Sequence, residues 1–141
     1  MPEDRFPVAV VGGVPVLAAP EEIDITNAEA LRSALFTAAA GGNGTLVVDM
    51  TQTRFCDSSG LHTLIAAHKR AEAAGREVLL VIPSTTVLRV FALTGMDRVI
   101  PTFTSRAEAL AQAPAAANGR GQPQEGDTRA EDQPAQPAAS R

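Results

Sequence analysis

The chain has 141 residues and a formal charge of −4, with 12 Lys and Arg against 16 Asp and Glu; Lys69 is its only lysine and the arginines are scattered, so it lacks the clustered positive charge that nucleic-acid binding needs. Its single cysteine excludes an intramolecular disulfide framework and a multi-cysteine zinc site. No stretch has the apolar length of a membrane span, and no long apolar region follows Met1-Pro2-Glu3-Asp4-Arg5 as a secretory leader requires, so a soluble, cytoplasmic protein is expected.

Val8 to Val11 and Val14 to Ala18 are short apolar runs around Gly12-Gly13, a hairpin signal. Pro15 at the start of the second run suits a strand end or a sheet edge. The polar stretch Pro20 to Asn27 carries Ile23 and Ile25, both expected to point inward. Thr26 with Glu29 fits a capping box for a helix whose inner face is Ala28, Leu31, Leu35 and Ala38. Gly41-Gly42-Asn43-Gly44 ends that helix. A phosphate-binding loop would need a preceding strand, a following helix and a Lys, and here the order is reversed and the Lys is missing.

Leu46 to Met50 is nearly continuous in apolar residues, as a strand covered on both faces would be. After Phe55-Cys56-Asp57-Ser58-Ser59-Gly60 comes an amphipathic helix, Leu61 to Ala74, with Leu61, Leu64, Ile65, Ala67, His68 and Ala71 on one broad face and Gly75 beyond its end. Val78 to Ile82 reads as a second buried strand. Pro83-Ser84 opens a helix with Val87, Leu88, Phe91 and Ala92 inward and Gly95 as its stop. Arg98-Val99-Ile100-Pro101 is expected to be a short edge strand, and Ser105 with Glu108 caps a last helix through Ala109 and Leu110.

The order β-β-α-β-α-β-α-β-α predicts a single α/β domain over residues 1–112, with a mixed central sheet of four to five strands and about four helices. From Pro114 onward no Val, Ile, Leu or Phe occurs, so residues 113–141 are expected to be a disordered Pro/Ala/Gln-rich tail.

Catalysis has little support. His62 and His68 are six apart on one helix and point in different directions, and no Cys or carboxylate completes a metal site with either. Cys56 has no histidine placed by spacing and reads as a small buried hydrophobe. No Gly-x-Ser-x-Gly elbow is present. Asp49 or Asp57 as a receiver-type phosphoacceptor would need an acidic pair after the first strand and a lysine after a late one, and Lys69 is mid-helix. No enzyme activity, cofactor or metal is therefore expected. What remains is Asp57-Ser58-Ser59, three polar residues between a strand and a helix. They can cap the free N–H groups of the helix start, or carry a phosphate that the same groups and the dipole would stabilise. Local chemistry leaves both uses open.

Leu46-Val47-Val48-Asp49-Met50 leading through Phe55 to Leu61 resembles the STAS domain family, within it the bacterial anti-sigma factor antagonists, where a strand, then Asp-Ser-(Ser/Ala/Thr)-Gly, then a helix recur. Two further stretches agree in order: Glu22 to Ala28, and Val87 to Gly95. The resemblance spans roughly Val8 to Ala111 and leaves out the tail. It implies phosphorylation of the serine directly after the motif Asp, which is Ser58, by an anti-sigma factor that is also an ATP-dependent serine kinase of the ATPase-fold type. The unphosphorylated form would bind that factor and release the sigma factor, and a serine phosphatase would restore it. The partner-binding residues it implies are Asp24, Asp57, Ser58, Ser59 and Gly60, with no direct contact to nucleic acid or membrane. The alternative is a scaffold or ligand-sensing STAS subunit of a larger assembly, in which Ser58 only caps the helix.

Overall fold

The computed structural model describes residues 6–41 and 44–113. The expected tail and Gly42-Asn43 of the glycine cluster lie outside the described residues, as do residues 1–5. Strands β1 (Val8–Val11) and β2 (Val14–Ala18) form the hairpin. Gly12 and Gly13 have φ of 59° and 85°, and a two-residue turn with both φ positive matches the twist of the strands it joins. Next come β3 (Glu22–Ile23), α1 (Ala28–Ala40), β4 (Thr45–Asp49), β5 (Phe55–Cys56), α2 (Ser58–Ala73) and β6 (Glu77–Val81). The chain closes with α3 (Thr85–Thr94), α4 (Met96–Val99), β7 (Thr102–Phe103) and α5 (Arg106–Gln112).

The main sheet has the order β1-β2-β4-β6-β7, antiparallel at the hairpin and parallel elsewhere. This is the single α/β domain with a mixed sheet that the alternation of elements predicts. Because β4 and β6 are central, both their faces are covered. Leu46, Val48, Val78, Leu80 and Ile82 meet Leu31, Leu35, Leu64, Ala67 and Phe91 of the helices on one side. Val47, Leu79 and Val81 pack with Val14, Val16 and Ala109 on the other. Pro15 sits where a strand tolerates it, before pairing with β4 begins at Val16↔Val47.

Several expectations need correction. Arg98-Val99-Ile100-Pro101 is not an edge strand. Met96 and Ile100, four apart, are both buried, and the Ile100 N–H donates to the Met96 carbonyl at 3.0 Å, so the segment turns as α4. That makes five helices among the described residues, and the edge strand follows as β7. Helix α2 starts at Ser58, three residues before Leu61, because Asp57 supplies its cap. Ala92 is exposed, on the outer side of α3. Ile25 is 77% exposed while Ile23 is fully buried. The strand stops at Ile23 and the chain turns at once, so the two-residue alternation that would bring Ile25 inward is broken.

Thr26 does not cap α1 either: its N–H and hydroxyl both donate to the Asp24 carboxylate, and the N-cap position belongs to Asn27. The other caps are as expected. Ser84 Oγ accepts from the Val87 N–H at 3.3 Å, and Ser105 Oγ from the Glu108 N–H at 3.1 Å.

Candidate functional site

The site is built where two short parallel strands meet a helix start. Strands β3 and β5 pair apart from the main sheet, Glu22↔Phe55 and Ile23↔Cys56. The Arg54 N–H donates to the Glu21 carbonyl at 2.8 Å, and the Asp57 N–H to the Ile23 carbonyl at 3.0 Å, so the ladder is zipped at both ends. The next positions in this register are Asp24 and Asp57. Residues 33 apart in sequence thus leave neighbouring strands side by side, each carrying a carboxylate.

Each carboxylate is used locally. Asp57 Oδ1 accepts from the Gly60 N–H at 3.1 Å, an N-cap that stabilises a helix by about 1 kcal/mol. Asp24 accepts from the Thr26 hydroxyl and backbone N–H, bonds that hold its carboxyl below its ordinary 3.8. Asn27 completes the turn, its amide oxygen accepting from the Asp24 N–H and its amide donating to the Glu22 carbonyl.

With Asp57 as the cap, Ser58 is the first residue of α2 and exposed. Ser59 is half-buried and lines a shallow groove of about 290 Å³ between α1 and α2, with Ile25, Arg32 and His62. Gly60 is buried because the helix start presses on the ladder. A Cβ there would lie 2.6 Å from Cys56 Sγ and 2.7 Å from Ile23 Cγ2, distances that real Cβ atoms do not reach. The glycine is what lets α2 begin against β3 and β5.

All five residues expected at the site are therefore brought to one corner of the fold. The histidines separate: His62 is exposed in the groove, whereas His68 is largely buried with Nε2 3.8 Å from a Glu72 oxygen. Asp49 lies elsewhere, at the end of β4, where Thr51 donates to its carboxylate and Arg106 of α5 stands 3.7 Å away. Two exposed apolar residues flank the corner and were not legible as site residues: Ile25, and Phe55 at 50% exposure. The Asp24-x-Thr26 spacing of an Asx-type turn was the available signal for Ile25. Arg54 is the cation nearest in sequence to the motif, and it is already engaged at the surface by Glu21 and Glu22 at 4.0 and 3.8 Å.

Cys56 is buried beneath this corner, and burial, with a smaller contribution from the Asp57 carboxylate, pushes its thiol from 9.0 up to about 12. The thiolate needed for attack is therefore far scarcer at pH 8 than for an ordinary thiol. In native protein at pH 8, alkylation of Cys56 is expected to wait on unfolding; modification at the rate of a free small thiol would refute this. The sign for stability follows from proton uptake. Between pH 9 and about 12 the unfolded chain loses the thiol proton while the folded chain keeps it, so this group lowers stability as pH rises through that window.

A family model of the STAS domain matches residues 5–109. The chain belongs to the STAS domain family. Among STAS relatives it is 32% identical to the anti-sigma-F factor antagonist RsfB of Mycobacterium tuberculosis over 105 residues, 73% of this chain and 84% of that one. The crystal structure of an anti-sigma factor antagonist from Mycobacterium paratuberculosis superposes with a TM-score of 0.64 at 30% identity, covering 75% of this chain and 90% of that one. The anti-sigma factor antagonist SpoIIAA in its unphosphorylated form gives a TM-score of 0.63 at 26% identity, over 76% and 94% of the two chains. SpoIIAA of Bacillus has also been solved in a phosphorylated form. Among the described residues, no helix of this STAS domain is long and apolar enough to cross a membrane.

Proposed function

We propose that this STAS protein is an anti-sigma factor antagonist whose docking is switched by phosphorylation of Ser58. The unphosphorylated form binds an anti-sigma factor that is also an ATP-dependent serine kinase, and so frees a sigma factor. Phosphorylation ends that binding and a serine phosphatase restores it. The protein acts as a binding module in the cytoplasm; Asp24, Asp57, Ser58 and Ser59 face the partner, while Gly60, expected among them, is buried and sets the position of the helix start beneath them.

The observation that carries this reading is the division of labour at the start of α2. Asp57 holds the cap, so the Ser58 hydroxyl stays at the surface on the first residue of a 16-residue helix. A phosphoryl group there meets the positive end of the helix dipole, and the fold need not change to accept it. The relatives support the role: they are named anti-sigma factor antagonists, and one of them, SpoIIAA, has a phosphorylated form.

The electrostatics support an off-switch. Phosphorylation adds about −1.5 to −2 charges to a corner that already holds Asp24 and Asp57, with Glu21 and Glu22 on the neighbouring strand and turn. A partner seated there would have to desolvate that charge. Incubation with the cognate kinase and ATP, followed by intact-mass measurement, tests the site. One added phosphate on the native chain and none on Ser58→Ala is the expected result. Equal phosphorylation of both would remove Ser58 from the switch.

A further inference from the structure

Far from the Ser58 corner, the outer edge of β1 has no strand beside it among the described residues. Sheet edges are ordinarily guarded by a charge, a proline or a bulge. Apart from being short, at four residues, Val8-Ala9-Val10-Val11 has none of these: it is uncharged and pairs with β2 without interruption, and Val10 is 70% and Val8 48% exposed. Its backbone is also aimed. The Pro7 carbonyl accepts from the Ala18 N–H, and the hairpin closes at Val11↔Val14 around its two-residue turn. Residues 7, 9 and 11 therefore turn their backbone groups to β2, and Val8 and Val10 turn theirs outward. The side chains of Val8 and Val10 lie on the face that carries α1. There a groove of about 510 Å³ runs between strand and helix, lined by Phe6, Val8, Ala30, Ala34, Thr37 and Ala38. Among the described residues, no charged side chain lines it.

We propose that this edge pairs antiparallel with β1 of a second copy of the chain, about a two-fold axis at Ala9. In that register Val8 faces Val10 of the second copy, and the outward N–H and C=O groups of both residues bond across the junction. The two exposed valines cover each other, and the small residues of the α1 stripe allow the two helices to approach. An uncharged patch meets its own image without repulsion, although the chain as a whole carries −4.

The chain's own outlying segments do not suit the edge. Glu3, Asp4 and Arg5 are charged and offer no apolar side chain to seat against Val8 and Val10. Residues 114–141 contain no Val, Ile, Leu or Phe to seat against Val8 and Val10. A second β1 supplies both the strand and the apolar side chains.

Four-residue strands make a small contact, in the class below about 1,200 Å² that forms transient complexes. Sedimentation equilibrium of the full-length chain should therefore show a reversible dimer with a Kd of about 10 μM to 1 mM. Val10→Lys and, separately, Val8→Lys should weaken it at least about tenfold, with circular dichroism unchanged because both side chains are exposed. Ala9→Cys lies on the axis and should form a disulfide-linked dimer faster than the exposed control Gln112→Cys. A monomer at about 1 mM, a dimer indifferent to both lysines, or equal cross-linking at the two cysteines would each overturn the proposal. Capture of a different protein by a chain that stays monomeric would overturn it as well.

Discussion

Ser58→Asp is expected to lower affinity for the anti-sigma factor by about 100- to 1,000-fold, whereas Ser58→Ala keeps native affinity and binds whether or not ATP is present. A penalty of about 3–4 kcal/mol corresponds to that range, each 1.4 kcal/mol being a factor of ten. Its sources are repulsion from the carboxylates at the ends of β3 and β5 and the cost of burying a new charge under a partner. The alanine removes only a surface hydroxyl, because the cap belongs to Asp57. Isothermal titration of both variants against the purified anti-sigma factor decides it. Equal affinities for Asp and Ala at this position would refute the electrostatic switch, whatever the kinase does. Helix content should be native in both, which separates loss of docking from loss of fold.

Gly60→Ala should destabilise the domain by about 2–3 kcal/mol, toward the upper end of what an overpacked position costs. A surface glycine replaced by alanine inside a helix would instead gain stability, since alanine has the higher helix propensity. The sign reverses here because the added Cβ would lie 2.6 Å from Cys56 Sγ and 2.7 Å from Ile23 Cγ2. Neither neighbour is the far end of a flexible chain, so α2 must move away from the β3–β5 ladder, carrying Ser58 with it. Urea denaturation measures the first effect and titration with the anti-sigma factor the second. Cys56→Ala in the same chain relieves one of the two contacts and should recover part of the loss, a coupling that a double-mutant cycle reads directly. A stabilising Gly60→Ala would mean that the helix start has room the structure does not show.

How much of this could be read from residues alone differs from element to element. The buried strands β4 and β6 were plain, because a nearly unbroken apolar run has few other uses. The caps at Ser84 and Ser105 were plain for a similar reason, a hydroxyl three residues before the N–H it accepts from. Three of the failures share one cause. Ile25 was expected inward by strand alternation, Thr26 as a capping box with Glu29, and Arg98-Val99-Ile100-Pro101 as a short edge strand, and in each place the chain turns within two or three residues. Asp24 claimed the Thr26 hydroxyl, and Met96 with Ile100 closed a helical turn in a stretch rich in β-branched residues.

The Ser58 corner shows the same boundary. The amino-acid sequence by itself determined the strand-to-helix junction, the polar residues within it and the resemblance that singles out Ser58, because those depend on neighbours along the chain. Only the tertiary structure decided that Asp57 rather than Ser58 is the cap, that Asp24 stands beside Asp57, and that Gly60 has no room for a Cβ. Each of these rests on the two-residue ladder between β3 and β5, whose strands are 33 residues apart and too short to leave a periodic signal. That pairing exists because Ile23 and Cys56 are buried together beneath the start of α2, which is a fact about packing and not about either segment alone.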